Sequence, residues 1–179
     1  MSEIKVHDKS FVPYLPESII LEKIKELAVV LDKDYAGKKP LFIAILNGSF
    51  MFTADLFKVL SIEAEICFIK LASYKGTKST GNVITSIGLD EPLEGRHVVI
   101  IEDIVDTGNT LSYLIEKLKL HSPASIRVCS LLLKPAKLET SIEELRYVGF
   151  EIENEYVVGY GLDYKELGRN LTSIYRQIS

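Results

Sequence analysis

The stretch with the most chemistry in it is Val98-Val99-Ile100-Ile101-Glu102-Asp103-Ile104-Val105-Asp106-Thr107-Gly108-Asn109-Thr110-Leu111, an apolar run that passes into carboxylates, a glycine-bearing loop and a helical pattern. In a sheet flanked by helices, ligands collect where strands end in this way. The Thr107-Gly108-Asn109-Thr110 loop offers backbone N–H groups, two hydroxyls and the positive end of a helix, which together suit a phosphate monoester. The adjacent carboxylates Glu102 and Asp103 suit sugar hydroxyls, or Mg²⁺ reached directly or through water. Asp106, one turn later, is left for acid or base work. Capping a helix requires only one such polar residue, so the density of groups exceeds what a turn needs. The spacing is neither GxxxxGK[ST] nor GxGxxG.

These groups need elements to hold them. From Pro16 to Tyr35, apolar Ile19, Ile20, Ile24, Leu27, Ala28 and Leu31 recur at three- and four-residue spacing, with Gly37 just beyond, which predicts an amphipathic helix. Leu41–Leu46 reads as a buried strand, Asn47-Gly48-Ser49 as a tight turn, and Phe50 to Leu60 as a second helix. A pair of strands is expected over Ala64–Ala72 and Asn82–Leu89, then a strand over His97–Ile101, a helix ending near Leu120 and a strand over Ser125–Leu133. Strands apolar on consecutive residues are covered on both faces, the habit of a parallel sheet. The fold class is therefore α/β. From Pro135 onward, short pieces around Gly149-Phe150, Tyr156-Val157-Val158 and Ile174-Tyr175 predict a small accessory lobe rather than another βα unit. The expectation is one domain over residues 1–179, with a core of about 16–134 and a hood from about 1–15 and 135–179.

With 179 residues, 47% hydrophobic and 26% charged, the composition is that of a globular domain able to bury a core. A net charge of −4, with Lys and Arg scattered, argues against nucleic acid or an anionic membrane as partner. Cys67 and Cys129 each sit in an apolar run without a CxxC partner, which fits packing in a reducing cytosol rather than zinc or disulfides. The start of the chain lacks an apolar signal core and no run approaches the ~20 apolar residues of a membrane span, so the expected location is cytoplasmic. His7, His97 and His121 lack ligand spacing and read as structural or surface residues.

The carboxylate and Thr/Gly segment resembles the phosphoribosyl pyrophosphate signature, and the resemblance extends over most of the chain to the bacterial hypoxanthine phosphoribosyltransferases. That resemblance implies a type I phosphoribosyltransferase fold, Mg²⁺ as cofactor, phosphoribosyl pyrophosphate and a 6-oxopurine as substrates, and a homodimer or homotetramer. Leu46-Asn47-Gly48 looks like the family's pyrophosphate loop, in which a cis non-proline peptide often supports the contact. Ser73-Tyr74 and the polar stretch to Gly81 match its mobile lid. Lys134 matches the lysine aimed at the purine's exocyclic oxygen, Tyr156 the stacking ring and Val157 a backbone contact. Asp163 matches the second metal side, making Glu102, Asp103 and Asp163 the implied metal residues, and Arg169 matches the pyrophosphate arginine. By periodicity alone Tyr156 and Val157 would be core strand. The chain departs from the family at Asn47, where many members carry Lys or Arg, and at Asn109, where vertebrate relatives carry Lys.

The implied reaction is transfer of a 5-phosphoribosyl group to a purine ring nitrogen, with Asp106 accepting or sharing the proton on the imidazole side. A regulator of the same fold that senses phosphoribosyl pyrophosphate and binds RNA is the alternative, but it should carry a basic face. A phospho-acceptor receiver domain also gathers carboxylates at strand ends, yet would not use Thr107–Thr110 as a cradle.

Overall fold

The computed structural model describes residues 2–72, 83–85 and 92–178. Expectations placed on the 73–81 stretch, including Ser73 and Tyr74, and on most of the 82–89 strand lie outside these described residues.

Among the described residues, ten strands and three α-helices follow one another as β1 (Ile4–Val6), β2 (Lys9–Leu15), α1 (Glu17–Asp34), β3 (Leu41–Leu46), α2 (Phe50–Val59), β4 (Glu65–Ala72), β5 (Val83–Thr85), β6 (His97–Val105), α3 (Asn109–Lys119), β7 (Ser125–Leu133), β8 (Leu145–Glu151), β9 (Val157–Val158) and β10 (Ile174–Gln177). The large sheet has the order β5-β4-β3-β6-β7-β8. Its strands β4, β3, β6, β7 and β8 run parallel, and only β5 is antiparallel.

Alternation along each strand explains the unbroken apolar runs. On β3, Phe42 and Ala44 pack with Ile24, Leu27 and Leu31 of α1 and with Phe52 and Leu56 of α2. Leu41, Ile43 and Ile45 face the other way, onto Leu111, Leu114 and Leu118 of α3. Successive side chains of a strand point to opposite faces, so a sheet covered on both sides requires every residue to be apolar. Burying each such side chain contributes roughly 1.5–3 kcal/mol. A charge at Ile43, fully buried between β3 and α3, would cost more than that burial gains. Buried Cys129 packs among these residues as expected.

Both ends of the chain build a second, antiparallel sheet of order β1-β2-β10-β9. Its seat is Tyr160, 1% exposed, whose hydroxyl donates to Asp55 on α2. Strand β8 corrects the expectation that everything after residue 134 belongs to the accessory lobe. It pairs in parallel with β7 from Val128↔Leu145 to Leu133↔Glu151 and extends the core sheet. Among the described residues, no helix is long and apolar enough to cross a membrane.

Candidate active site

Strand order creates the site before any side chain is considered. From β3 the chain passes through α2 to β4 on one side, and β6 returns to β3's other side. The connections leaving β3 and β6 therefore diverge, and a crevice opens at the carboxyl ends of these two strands.

After β3 the Leu46–Asn47 peptide is cis, and Ser49 ends the turn by donating its hydroxyl to the Ile45 carbonyl at 2.5 Å. Gly48 is a glycine because of what faces it. A Cβ there would lie 1.6 Å from Oδ2 of Asp103, while a Cβ on Gly161, at φ +97°, would lie 2.0 Å from the Gly48 carbonyl oxygen. Three separate segments thus meet backbone to side chain at one point, which only residues without Cβ allow.

The strand expected to end at Ile101 continues to Val105, paired with β7 as far as Leu133. Glu102 and Asp103 are therefore strand residues aimed at opposite faces, not loop residues. Burial, and then the charge of Asp103, pushes the Glu102 carboxyl well above the usual carboxylate range, and its Oε2 is buried without a hydrogen-bond partner. Burial also raises Asp103 to about 6, although the Ile104 N–H donates to its Oδ1 at 2.9 Å and opposes the shift.

Beyond β6, Gly108 at φ +84° turns the chain into α3, and its carbonyl accepts from the Ser112 N–H at 2.9 Å. The Asn109 side chain does not face the crevice's phosphate-like loop interior. Its Nδ2 donates to Glu139 at 2.6 Å and its Oδ1 accepts from the Thr140 hydroxyl at 3.0 Å, while the Glu139 N–H donates to the Thr107 carbonyl at 3.0 Å. What Asn109 does is brace the loop from outside.

Lys134, at the end of β7, is 6% exposed, and burial lowers its pKa. Its Nζ lies 3.9 Å from Oδ2 of Asp106, and Lys137 places its Nζ 3.2 Å from the same oxygen. Asp106 Oδ1 is buried without a partner. On the hood side, Tyr156 is 46% exposed and its hydroxyl donates to the Asp163 carbonyl at 3.0 Å. Buried Val157 lies in β9 beside it. Arg169 NH2 sits 2.7 Å from Oδ1 of Asp163, and its NH1 donates to the Gly161 carbonyl at 2.9 Å.

Two cavities share Ile104 and Asp106. The smaller, about 260 Å³, is lined by Leu46, Glu102, Asp106, Thr107, Gly108 and Thr110. The larger, about 520 Å³, is lined by Asp103, Asp106, Lys134, Tyr156, Val157 and Asp163, together with Lys137 and Glu155. Asp106 is the hinge between an anion-sized recess at the start of α3 and a slot floored by Lys134 and walled by an exposed ring. Another cavity, about 560 Å³, opens at the amino ends of β6 and β7, but its Asp34 and Glu144 are already engaged by Tyr147 and Lys119.

Most of the sequence-predicted residues are thus brought together, while Asn47, which is exposed, Gly48, Asn109 and Arg169 line neither cavity. Glu102, Asp103 and Asp163 do not form a joint cage. Among the described residues, no group of three or more His, Cys, Asp or Glu side chains is placed to hold a metal. Asp163 is instead turned to Arg169. The set still offers hard carboxylate oxygens, including the unpartnered Glu102 Oε2, which suits a Mg²⁺ bound by one or two carboxylates plus substrate oxygens.

Sequence reasoning missed Lys137. It follows Lys134 through a 3₁₀ turn, Pro135–Lys137, in which positions three apart eclipse, so both ammonium groups reach one side. The spacing was readable, but nothing marked that turn as 3₁₀.

Residues 14–165 match the family described as phosphoribosyl transferase domain. A hypoxanthine-guanine phosphoribosyltransferase of Lactococcus lactis is 47% identical over 158 residues, covering 87% of this chain and 84% of that protein. A hypoxanthine-guanine-xanthine phosphoribosyltransferase of Tritrichomonas foetus is 42% identical over 155 residues, covering 87% of this chain and 85% of that protein. The crystal structure of a hypoxanthine phosphoribosyltransferase from Staphylococcus aureus superposes with a TM-score of 0.87 at 41% identity, covering 93% of this chain and 91% of that one.

Proposed function

Since the chain belongs to the phosphoribosyl transferase family, we propose that it works in purine salvage, transferring the 5-phosphoribosyl group of phosphoribosyl pyrophosphate to hypoxanthine, and to guanine, with release of pyrophosphate. The observation that carries this reading is the placement of Asp106 on both cavities, one suited to a phosphate monoester and the other to a purine.

In this reading the Thr107–Thr110 backbone and hydroxyls cradle the 5′-phosphate at the positive end of α3. Glu102 and Asp103 hold the ribose diol and favour the positive charge that builds on the ribosyl ring as the bond to pyrophosphate loosens. The departing anion faces the Asn47-Gly48 backbone and Arg169, whose five guanidinium donors are only partly used by Asp163 and Gly161. Asp106 Oδ1, lacking a partner, accepts or shares the proton on the imidazole side of the base and so raises nucleophilicity at N9. Lys134 donates to the 6-oxo group, Tyr156 stacks on the ring, and Val157 offers a backbone contact. Mg²⁺, held by Glu102, Asp103 or Asp163 together with substrate oxygens, would supply positive charge beside the pyrophosphate. No covalent enzyme nucleophile is required.

Water is the competing nucleophile, and the 73–81 stretch with Ser73 and Tyr74 is the candidate cover. A cytoplasmic location and a homodimer or homotetramer complete the proposal and rest on the family. Incubation with phosphoribosyl pyrophosphate, Mg²⁺ and each purine base in turn, with chromatographic analysis of products, tests it. Nucleoside 5′-monophosphate from hypoxanthine is expected, and no nucleotide from any purine would overturn it.

A further inference from the structure

We propose that Lys137 is a positioning residue for the transfer: it holds one oxygen of Asp106 so that the other is left for the base and Lys134 is left for the base's exocyclic oxygen. The inference rests on the proposed phosphoribosyl transfer. Two ammonium groups approach the same carboxylate oxygen, Lys137 at 3.2 Å and Lys134 at 3.9 Å, and the shorter contact is the hydrogen bond. The second oxygen, Oδ1, is buried and unpartnered. A carboxylate tied at Oδ2 is restrained in its rotation, and its unpartnered Oδ1 keeps its lone pairs for a donor on the ligand.

Without Lys137 the nearest cation is Lys134, less than 4 Å away and 7% exposed at its side chain. A short rotation would bring the two into direct contact. That pairing would spoil both roles at once, because Asp106 would turn away from the base while the Lys134 ammonium was drawn toward Asp106 and off the carbonyl it reads. Lys137 therefore separates the acid–base group from the group that reads the 6-position. Its side chain is 36% exposed, so substitution leaves the core of the fold untouched.

The test measures kcat, KM for hypoxanthine, KM for phosphoribosyl pyrophosphate and the hypoxanthine-to-adenine ratio of kcat/KM in wild type, Lys137→Met and Lys137→Arg. Lys137→Met keeps length but removes the charge, and should lower kcat about tenfold and the selectivity ratio about tenfold, with KM for phosphoribosyl pyrophosphate within twofold. Lys137→Arg, which restores a cationic donor, should recover both to within threefold. Wild-type kcat and selectivity in Lys137→Met would overturn the inference. So would equal losses in the Met and Arg variants, which would mean a packing role alone. A wild-type protein that makes no nucleotide removes the functional reading itself, whereas an active wild type with an indifferent Lys137→Met removes only this inference.

Discussion

Replacing Gly48 by Ala should damage the handling of phosphoribosyl pyrophosphate far more than it damages the fold. The added Cβ would stand 1.6 Å from Asp103 Oδ2 and 2.4 Å from its Cγ, and bringing 1.6 Å up to the 3.0 Å of the closest real contacts requires a relative shift of about 1.4 Å. Neither side yields easily. Asp103 is anchored through Oδ1 to the Ile104 N–H, and the Gly48 carbonyl is backed by Gly161, where even a Cβ has no room. The 46–48 loop and the Asp103 carboxylate must therefore separate, and a misplacement of about 1 Å in a positioned site can cost roughly 10²-fold in rate, or about 2.7 kcal/mol of transition-state binding. Overpacking costs stability about 1–3 kcal/mol, a fall in Tm of roughly 2–12 °C at this chain length. Steady-state kinetics with varied phosphoribosyl pyrophosphate, alongside thermal melts, measure both effects. Gly95→Ala is the control, since Gly95 at φ +69° has nothing within 4 Å of a Cβ and should lose about 1 kcal/mol of stability with unchanged kinetics. If Gly48→Ala keeps kcat/KM for phosphoribosyl pyrophosphate within threefold of wild type, or if Gly95→Ala loses as much activity, the close packing at this point does not govern the site.

Asp106→Asn should lower kcat by ~10²-fold or more at unchanged Tm, and wild-type turnover would remove it from acid–base work. In wild type, hypoxanthine should exceed adenine in kcat/KM by well over tenfold, because a buried Lys134 has donors only and confronts an amino group with another donor; Lys134→Ala should narrow that gap. For Asp103, burial raises the folded-state value from 3.8 to about 6, so the stabilisation from its protonated form is complete below about pH 4 and lost as pH rises through 6. Asp103→Asn, which keeps an acceptor for the Ile104 N–H, should therefore raise Tm more at pH 8 than at pH 4 in the absence of ligands, and equal shifts at both would contradict the buried charge.

Covered strands announce themselves through continuous apolar runs, and so Leu41–Leu46 and Ser125–Leu133 were legible to the residue. The Glu102-Asp103 pair misled in one respect: two carboxylates after Ile101 read as loop, yet their backbone groups stay in the β6–β7 ladder, because pairing depends on the neighbouring strand and not on side-chain polarity. Strand β8 was read as a short piece around Gly149-Phe150 and given to the lobe, because Arg146 and Gly149 interrupt the apolar pattern of a core strand. Gly149 was placed in that lobe piece, but a Cβ there would come within 2.6 Å of the Leu131 carbonyl, so the glycine records a close approach of β7. Asp163 and Arg169 were each assigned a partner in the ligand, and only the irregular turn between them, with Lys165 at φ +50°, Glu166 at φ +70° and Gly168 at φ +97°, brings them to each other at 2.7 Å. Spacing of six residues has no meaning without that turn.

That same pairing sets an order of events in the proposed reaction. Arg169 cannot give its whole guanidinium to an anion while NH2 is held by Asp163, nor can Asp163 serve a cation while it neutralises Arg169. An incoming pyrophosphate group with its counter-cation satisfies both partners together, exchanging one ion pair for two, whereas the anion alone leaves Asp163 without its cation and the cation alone leaves Arg169 with only the longer 3.5 Å contact to Glu166. The two are thus expected to bind cooperatively at this end of the site. The Asp106–Lys137 pair at the base end poses no such requirement, because Lys137 holds Oδ2 alone and leaves Oδ1 without a partner to give up.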